Sequence, residues 1–191
     1  MSRNSSHLKS SLANAALYQI GWFACVIGAA WDRGTAGALL AVSLAGLHLV
    51  LAERPDREWP LMLLAAGLGL AIETVHLSLG VLEYRGHVPG TLAPLWIVAL
   101  WLQFATVFHF CLSWLSRRYW LAAVTGLLGG PLAFVAGERL GAATFGEPRL
   151  LALVIVGLAW AWVLPLLVWL ADRLGGVGRY RLPYVRQEVE A

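Results

Sequence analysis

Apolar residues in this chain fall in long blocks, not in strict alternation. The blocks predict six helices, over about 13–31, 35–52, 60–82, 92–115, 119–137 and 150–171. At about 1.5 Å per residue, each reaches or nearly reaches across a hydrocarbon layer roughly 30 Å thick. The connections between blocks are short and leave no room for a soluble domain. The expected fold class is therefore all-α: a polytopic, six-transmembrane-helix bundle forming one domain over 1–191, with a polar tail over 172–191.

Composition agrees. Of 191 residues, 59% are hydrophobic and 13% charged, where a soluble domain carries about a quarter charged. Mean hydropathy is +0.69. The net charge of +3 reflects basic residues in loops and termini, and sets topology. Arg3, Lys9, Arg54, Arg57, Arg117, Arg118, Arg173, Arg179, Arg181 and Arg186 fall on one side; Arg33, Arg85, Arg139 and Arg149 fall on the other. Both termini are expected in the cytoplasm. No basic groove with interleaved aromatics points to nucleic acid as a partner. Cys25 and Cys111 lie inside predicted helices and read as small packing residues.

The chemistry-bearing feature is Glu73-Thr74-Val75-His76, inside the third apolar run. Ionisable groups there are costly and mark function by default. Glu73, His76, Gly80 and Glu83 are spaced i, i+3, i+7 and i+10, one face of a helix continuing to residue 82. This places Glu73 near the membrane midplane, with the stripe opening outward. Three readings compete: a polar clamp between helices, a proton-handling acid/base site facing a lipid or small substrate, and a metal site. Glu-x-x-His is half of a di-metal bundle motif, and the chain has no second copy. The candidate catalytic residues are Glu73 as proton carrier or base, His76 as its partner, Glu83, and Asp32, with Asp32 or Glu138 as orienting charge. The residues specify no cofactor. His48 and His109 lie at similar depth on helices 2 and 4. They read as hydrogen-bonded packing residues, with paired haem ligation as the alternative. Walker, GxGxxG, GxSxG and HExxH motifs are absent.

Ten tryptophans divide by depth. Trp31, Trp59, Trp96, Trp114, Trp120 and Trp169 are expected in interfacial belts. Trp22, Trp101, Trp160 and Trp162 sit deeper, as packing residues or as an aromatic wall around a ligand. Gly37, Ala41 and Ala45 form a small-residue stripe suited to close helix contact. Gly129-Gly130-Pro131 predicts a kink or break in helix 5. No internal repeat relates helices 1–3 to helices 4–6.

Two segments carry a resemblance. Asn14 with Tyr18-Gln19-Ile20-Gly21-Trp22-Phe23 opens helix 1. Pro94-Leu95-Trp96 with Trp101-Leu102-Gln103-Phe104 opens helix 4. Together they resemble a family of small bacterial inner-membrane proteins of unknown function, over nearly the whole chain. The resemblance implies a multi-pass protein of the bacterial inner membrane and transfers no catalytic residue. The leading expectation is a lipid-linked enzyme or accessory, with membrane lipid as partner and an outward-opening polar pocket on helix 3. The alternatives are a non-catalytic subunit bound to another membrane protein, and a small transporter.

Overall fold

The computed structural model describes residues 2–175, with side chains from residue 11 onward. It contains six α-helices: α1 (Ser2–Ala30), α2 (Gly34–Leu51), α3 (Pro55–Ser78), α4 (Leu95–Phe104), α5 (Tyr119–Arg139) and α6 (Arg149–Gly175). Five of them, all but α4, are long and apolar enough to cross a membrane. The protein is a multi-pass membrane protein by this measure. Polar side chains tie the start of α3, residues 116–119 and the end of α6 together at one end of the bundle. This is called the terminal end. The predicted tail over 172–191 is corrected in part, because α6 continues to Gly175. Residues 176–191 lie outside the described residues, as do the side chains of Arg3 and Lys9.

The opposite end carries an element absent from the expected all-helical layout. Strand β1 (Leu82–Tyr84) follows α3, strand β2 (Ala143–Phe145) follows α5, and the two pair antiparallel. Leu82 faces Phe145, Glu83 faces Thr144 and Tyr84 faces Ala143. Each strand alternates buried, exposed, buried, the period-two pattern of a ribbon with one face on a core. α3 therefore stops at Ser78, short of the expected 82. Gly80, at φ +65°, ends it. The Val81 amide donates to the His76 carbonyl at 2.9 Å and Gly80 to Leu77 at 3.1 Å. This is the Schellman arrangement that a left-handed glycine makes possible.

The same turn recurs. Gly141, at φ +86°, ends α5; Ala142 donates to Gly137 at 3.0 Å and Gly141 to Glu138 at 2.9 Å. Arg85 N bonds Ala142 O while Gly146 N bonds Val81 O, a reciprocal pair across the ribbon. The end of α3 with β1 and the end of α5 with β2 are thus related by a local two-fold that passes between Glu83 and Thr144. The repeat is out of register with a division into helices 1–3 and 4–6.

The expected helix over 92–115 is also corrected. α4 ends at Phe104 and continues as a 3-10 turn (Ala105–Val107), an irregular stretch and a second 3-10 turn (Ser113–Leu115). Aromatic and β-branched residues crowd this segment and favour helix weakly. Thr106 and Ser113 hydroxyls also bond carbonyls three residues back, at 2.8 and 2.7 Å, competing with helical pairing. Residues 105–110 are all buried, which is where membrane proteins tolerate irregular backbone.

Small residues set the helix contacts. The Gly37/Ala41/Ala45 stripe is buried, and a Cβ on Gly37 would fall on the Ala24 carbonyl and within 2.8 Å of the Cys25 Cα. The stripe is thus occupied by α1. α5 runs through Gly129-Gly130-Pro131 without a break. There Gly126 and Gly130 make room for Trp160 of α6. Trp31, Trp59, Trp114, Trp120 and Trp169 are exposed, whereas Trp96 is buried, its indole donating to the Arg85 carbonyl at 3.1 Å. Trp162 is 82% exposed and belongs to the outer surface.

Gly37→Ala tests the α1–α2 contact. The obstacle is backbone, which cannot yield as a side chain would, so a loss of about 1–3 kcal/mol is expected. Thermal unfolding in detergent should show a lowered midpoint, and an unchanged one would refute the contact.

Candidate functional site

The buried face of α3 runs through Glu58, Leu61, Met62, Ala65, Gly69, Glu73 and His76. It carries a carboxylate near each end. Glu73 and Glu58 both have no exposed surface.

Three donors meet Glu73. The Tyr84 hydroxyl of β1 donates to Oε2. The His76 Nδ1 lies 3.0 Å from the same oxygen, one helical turn on. The Trp101 indole of α4 donates to Oε1 at 3.0 Å. A Cβ on Gly69 would overlap the Trp101 ring, so the bare glycine lets the indole lie against α3 and reach the carboxylate. Burial first, then the Glu73 charge and hydrogen bond, hold the Tyr84 hydroxyl well above the ordinary tyrosine value, keeping it a donor. Buried charge persists only where such partners answer it.

Tyr84 and Trp101 also line a cavity of about 80 Å³ between α1 on one side and α5 and α6 on the other. That is several times the roughly 10–15 Å³ one water needs. Its walls are aromatic: Tyr18 and Trp22 from α1, Trp96 and Phe104 from α4, Phe134 from α5 and Trp160 from α6. Trp101 and Trp160 stack at 4.9 Å, and Phe104 meets Trp160 edge-on at 5.6 Å. The Trp160 Nε1 is buried without a hydrogen-bond partner.

The four candidates named from sequence are not brought together. Glu73 and His76 are in contact. Glu83 is exposed on the outer face of β1, because α3 ends before it and the strand period turns it away. Asp32 sits at φ 55° after α1 and forms a two-pronged pair with Arg85, at 2.8 and 2.9 Å. Its carboxyl is held below the usual aspartate range, chiefly by that hydrogen bond. Glu138 is paired with Arg149 at 2.7 Å. Asp32 thus anchors the chain one residue beyond Tyr84 and does not reach Glu73. Glu73 lies five residues from the end of α3, not halfway along it.

Tyr84 and Glu58 escaped the sequence reading. Tyr84 was signalled by Gly80, which stops the helix and starts the Leu82/Glu83/Tyr84 alternation. Glu58 was signalled by His48 and His109, whose burial calls for an acid between them. Its carboxylate bonds His109 Nδ1 at 3.0 Å and lies 3.6 Å from His48 Nε2. His109 Nε2 faces the Ala171 carbonyl at 3.2 Å. Both nitrogens of His109 thus face protein atoms. Among the described residues, no group of three or more His, Cys, Asp or Glu is arranged to hold a metal ion.

A family model described as "Protein of unknown function (DUF2878)" matches residues 11–166. The chain belongs to this family. The DUF2878 match takes in Glu58, Glu73, Tyr84, Trp101, His109 and Trp160, and stops within α6 before Ala171 and Asp172. No curated protein and no solved structure matches the chain.

Two outcomes follow from this geometry. Tyr84→Phe removes one donor from a buried carboxylate and should cost about 1.5–3 kcal/mol, read as a lowered unfolding midpoint; no change would mean that the bond is not made. The Asp32–Arg85 pair contributes above the unfolded aspartate value, about 3.9. Because the folded value is depressed, that contribution disappears as pH falls through it. Asp32→Asn, which tolerates the same backbone, should flatten the acid limb of a stability-against-pH curve. An unaltered limb would assign that acid sensitivity elsewhere.

Proposed function

We propose that this protein binds an apolar, hydroxyl-bearing molecule of the membrane-lipid class in the aromatic cavity, with Glu73 acting as its proton acceptor through Tyr84. One observation carries the reading: Tyr84 and Trp101 hydrogen-bond Glu73 while lining the cavity. A ligand hydroxyl would donate to the Tyr84 oxygen while the Tyr84 proton moves to Glu73 Oε2. His76 and Trp101 hold the acceptor in place. The relay is general-base chemistry at a hydroxyl, inside a site shielded from water. The unpartnered Trp160 N–H is a further donor on the cavity wall, suited to an acceptor oxygen of the same ligand.

The local two-fold weighs against a clamp alone. The positions corresponding to Glu73, His76 and Tyr84 in the second unit are Phe134, Gly137 and Phe145, and that unit makes the same turn and the same ribbon pairing. The architecture therefore closes with apolar residues at these three places. A buried carboxylate that the fold can do without suggests use.

The Lys and Arg count supports placing the terminal end in the cytoplasm and the Glu73 end outward, and the resemblance noted above supports a bacterial inner membrane. The stripe that motivated a partner-subunit reading is filled by α1, and of the Gly129-Gly130-Pro131 segment that motivated a transporter reading, Gly130 packs on Trp160 in an unbroken helix.

Native mass spectrometry of the detergent-purified protein tests the proposal. Gly137 lines the cavity, and a Cβ there meets nothing within 4 Å, so Gly137→Phe fills the space with little disturbance. The wild-type chain should retain a lipid-class adduct that Gly137→Phe loses and Tyr84→Phe keeps in reduced amount. A wild-type protein free of adduct, or an equal adduct in Gly137→Phe, would overturn the reading.

A further inference from the structure

The Glu58 cluster lies at the far end of α3, about 22 Å from Glu73 at 1.5 Å per residue, and has no part in the relay above. Its hydrogen-bond partners fix where its protons sit. The Ala171 carbonyl only accepts, so His109 Nε2 carries hydrogen. One further proton then occupies the 3.0 Å link between His109 Nδ1 and Glu58 Oε1. The Asn14 amide nitrogen, which donates to the Thr106 carbonyl at 3.1 Å, faces His48 Nδ1 at 3.4 Å. That makes His48 Nδ1 the acceptor and puts the ring proton on Nε2. His48 Nε2 and Glu58 Oε2 face each other at 3.6 Å, and both are buried with no hydrogen-bond partner. The carboxylate thus has one oxygen bonded and one held only at the longer 3.6 Å distance, within three residues at most 3% exposed.

A second observation brings a water-sized space up to the cluster at His109, the side chain bonded to Glu58 Oε1. A cavity of about 10 Å³ borders His109, Ser113, Ser116, Ala171 and Asp172, close to the room one water needs. Asp172 accepts from the Ser116 hydroxyl at 2.6 Å, the Arg117 amide at 3.0 Å and the Tyr119 hydroxyl at 3.2 Å, at the surface of the terminal end. The other charged groups nearby have partners of their own. Arg57 donates to the Gly175 carbonyl at 2.9 Å and Arg173 lies over the Trp169 ring. Asn14 also accepts from the Cys111 thiol.

We propose that Glu58, with His109 and His48, is a proton-binding site that exchanges with water at the terminal end through the cavity beside Asp172. On loading, an O–H bond of hydronium breaks and an O–H bond forms at Glu58, leaving water and a carboxylic acid beside the protonated His109. Unloading reverses the step, and no other bond changes. The site begins α3, whose N-terminal dipole favours the carboxylate. Loading therefore takes place against a standing preference for the unloaded form, so the site releases its proton as readily as the cavity admits water.

Infrared pH-difference spectroscopy of the full chain in lipid nanodiscs tests this. A carboxylic-acid band should grow on acidification, shift in deuterated water, persist in Glu73→Gln and vanish in Glu58→Gln. Asp172→Asn should slow the deuterium exchange several-fold. Carbon-13 labelling of glutamate in the wild-type chain reads the same event without a variant, should Glu58→Gln not fold. The proposal fails if no glutamate carboxyl of the labelled protein protonates while it stays folded. It fails equally if the band survives Glu58→Gln, if exchange is as slow as that of the buried amides, or if Asp172→Asn leaves the rate unchanged.

Discussion

A carboxylate enclosed in an apolar bundle must have its oxygens answered from within, because no solvent reaches them. Much of this structure follows from meeting that demand at Glu73. The three donors come from three places: the next turn of α3, the ribbon and α4. Tyr84 and Trp101 reach it only because α3 stops early, β1 folds back over the bundle and Gly69 lets an indole lie flush against the helix. Gly80 and Gly69 are thus part of the site although neither has a side chain. The Asp32–Arg85 pair, exposed and individually weak, matters for the same reason: it fixes the chain one residue beyond Tyr84.

The local two-fold between α3–β1 and α5–β2 separates what the architecture needs from what the site needs. Identical Schellman turns and reciprocal ribbon bonds form in both units. Only the first unit surrounds its turn with Glu, His and Tyr. The second has Phe134, Gly137 and Phe145, and two of these, Phe134 and Gly137, line the cavity. One half of the repeat supplies polar chemistry and the other supplies an apolar wall. That division suits a ligand with a polar end and a hydrocarbon body, which bundles bind between helices.

The helices were legible because each spanning segment is a long apolar run, and length alone identifies such runs. Their ends were less so. Apolar residues continue past Ser78 into β1, so hydropathy could not see the stop that Gly80 makes, and Glu83 was carried onto a helical face it does not occupy. α4 failed for a related reason: residues 105–115 are as apolar as a helix, but their aromatic and β-branched crowding and hydroxyl back-bonding are local effects that hydropathy averages away. Glu73 and His76 were legible because a charge stands out in an apolar run. Glu58 was not, because it lies in a short polar stretch, Arg54 to Trp59, that reads as a loop. Only the tertiary fold shows that α3 starts at Pro55 and draws this one residue of the stretch inside.

Placing two carboxylate–imidazole clusters on one helix has a consequence for how they can communicate. α3 is a single continuous element between them, and its buried face from Leu61 to Gly69 is apolar, so no polar chain on that face links the ends. On the return path, Asn14, Thr106 and Gln103 are buried polar side chains, and Gln103 of α4 is the one set toward Trp101 in sequence. Its amide is held by the Leu17 carbonyl at 2.9 Å, while its own oxygen is buried and unpartnered. One amide cannot bridge about 22 Å. The two sites therefore act independently in the state described. Any coupling between them would have to come from a shift of α3 as a rigid body, with a change in charge at one end altering how tightly the other end is gripped. His76 would travel with α3 while Tyr84, Trp101 and His109 would not, so such a shift would loosen Glu58 from His109 and strip Glu73 of two of its three bonds, leaving it the pair with His76.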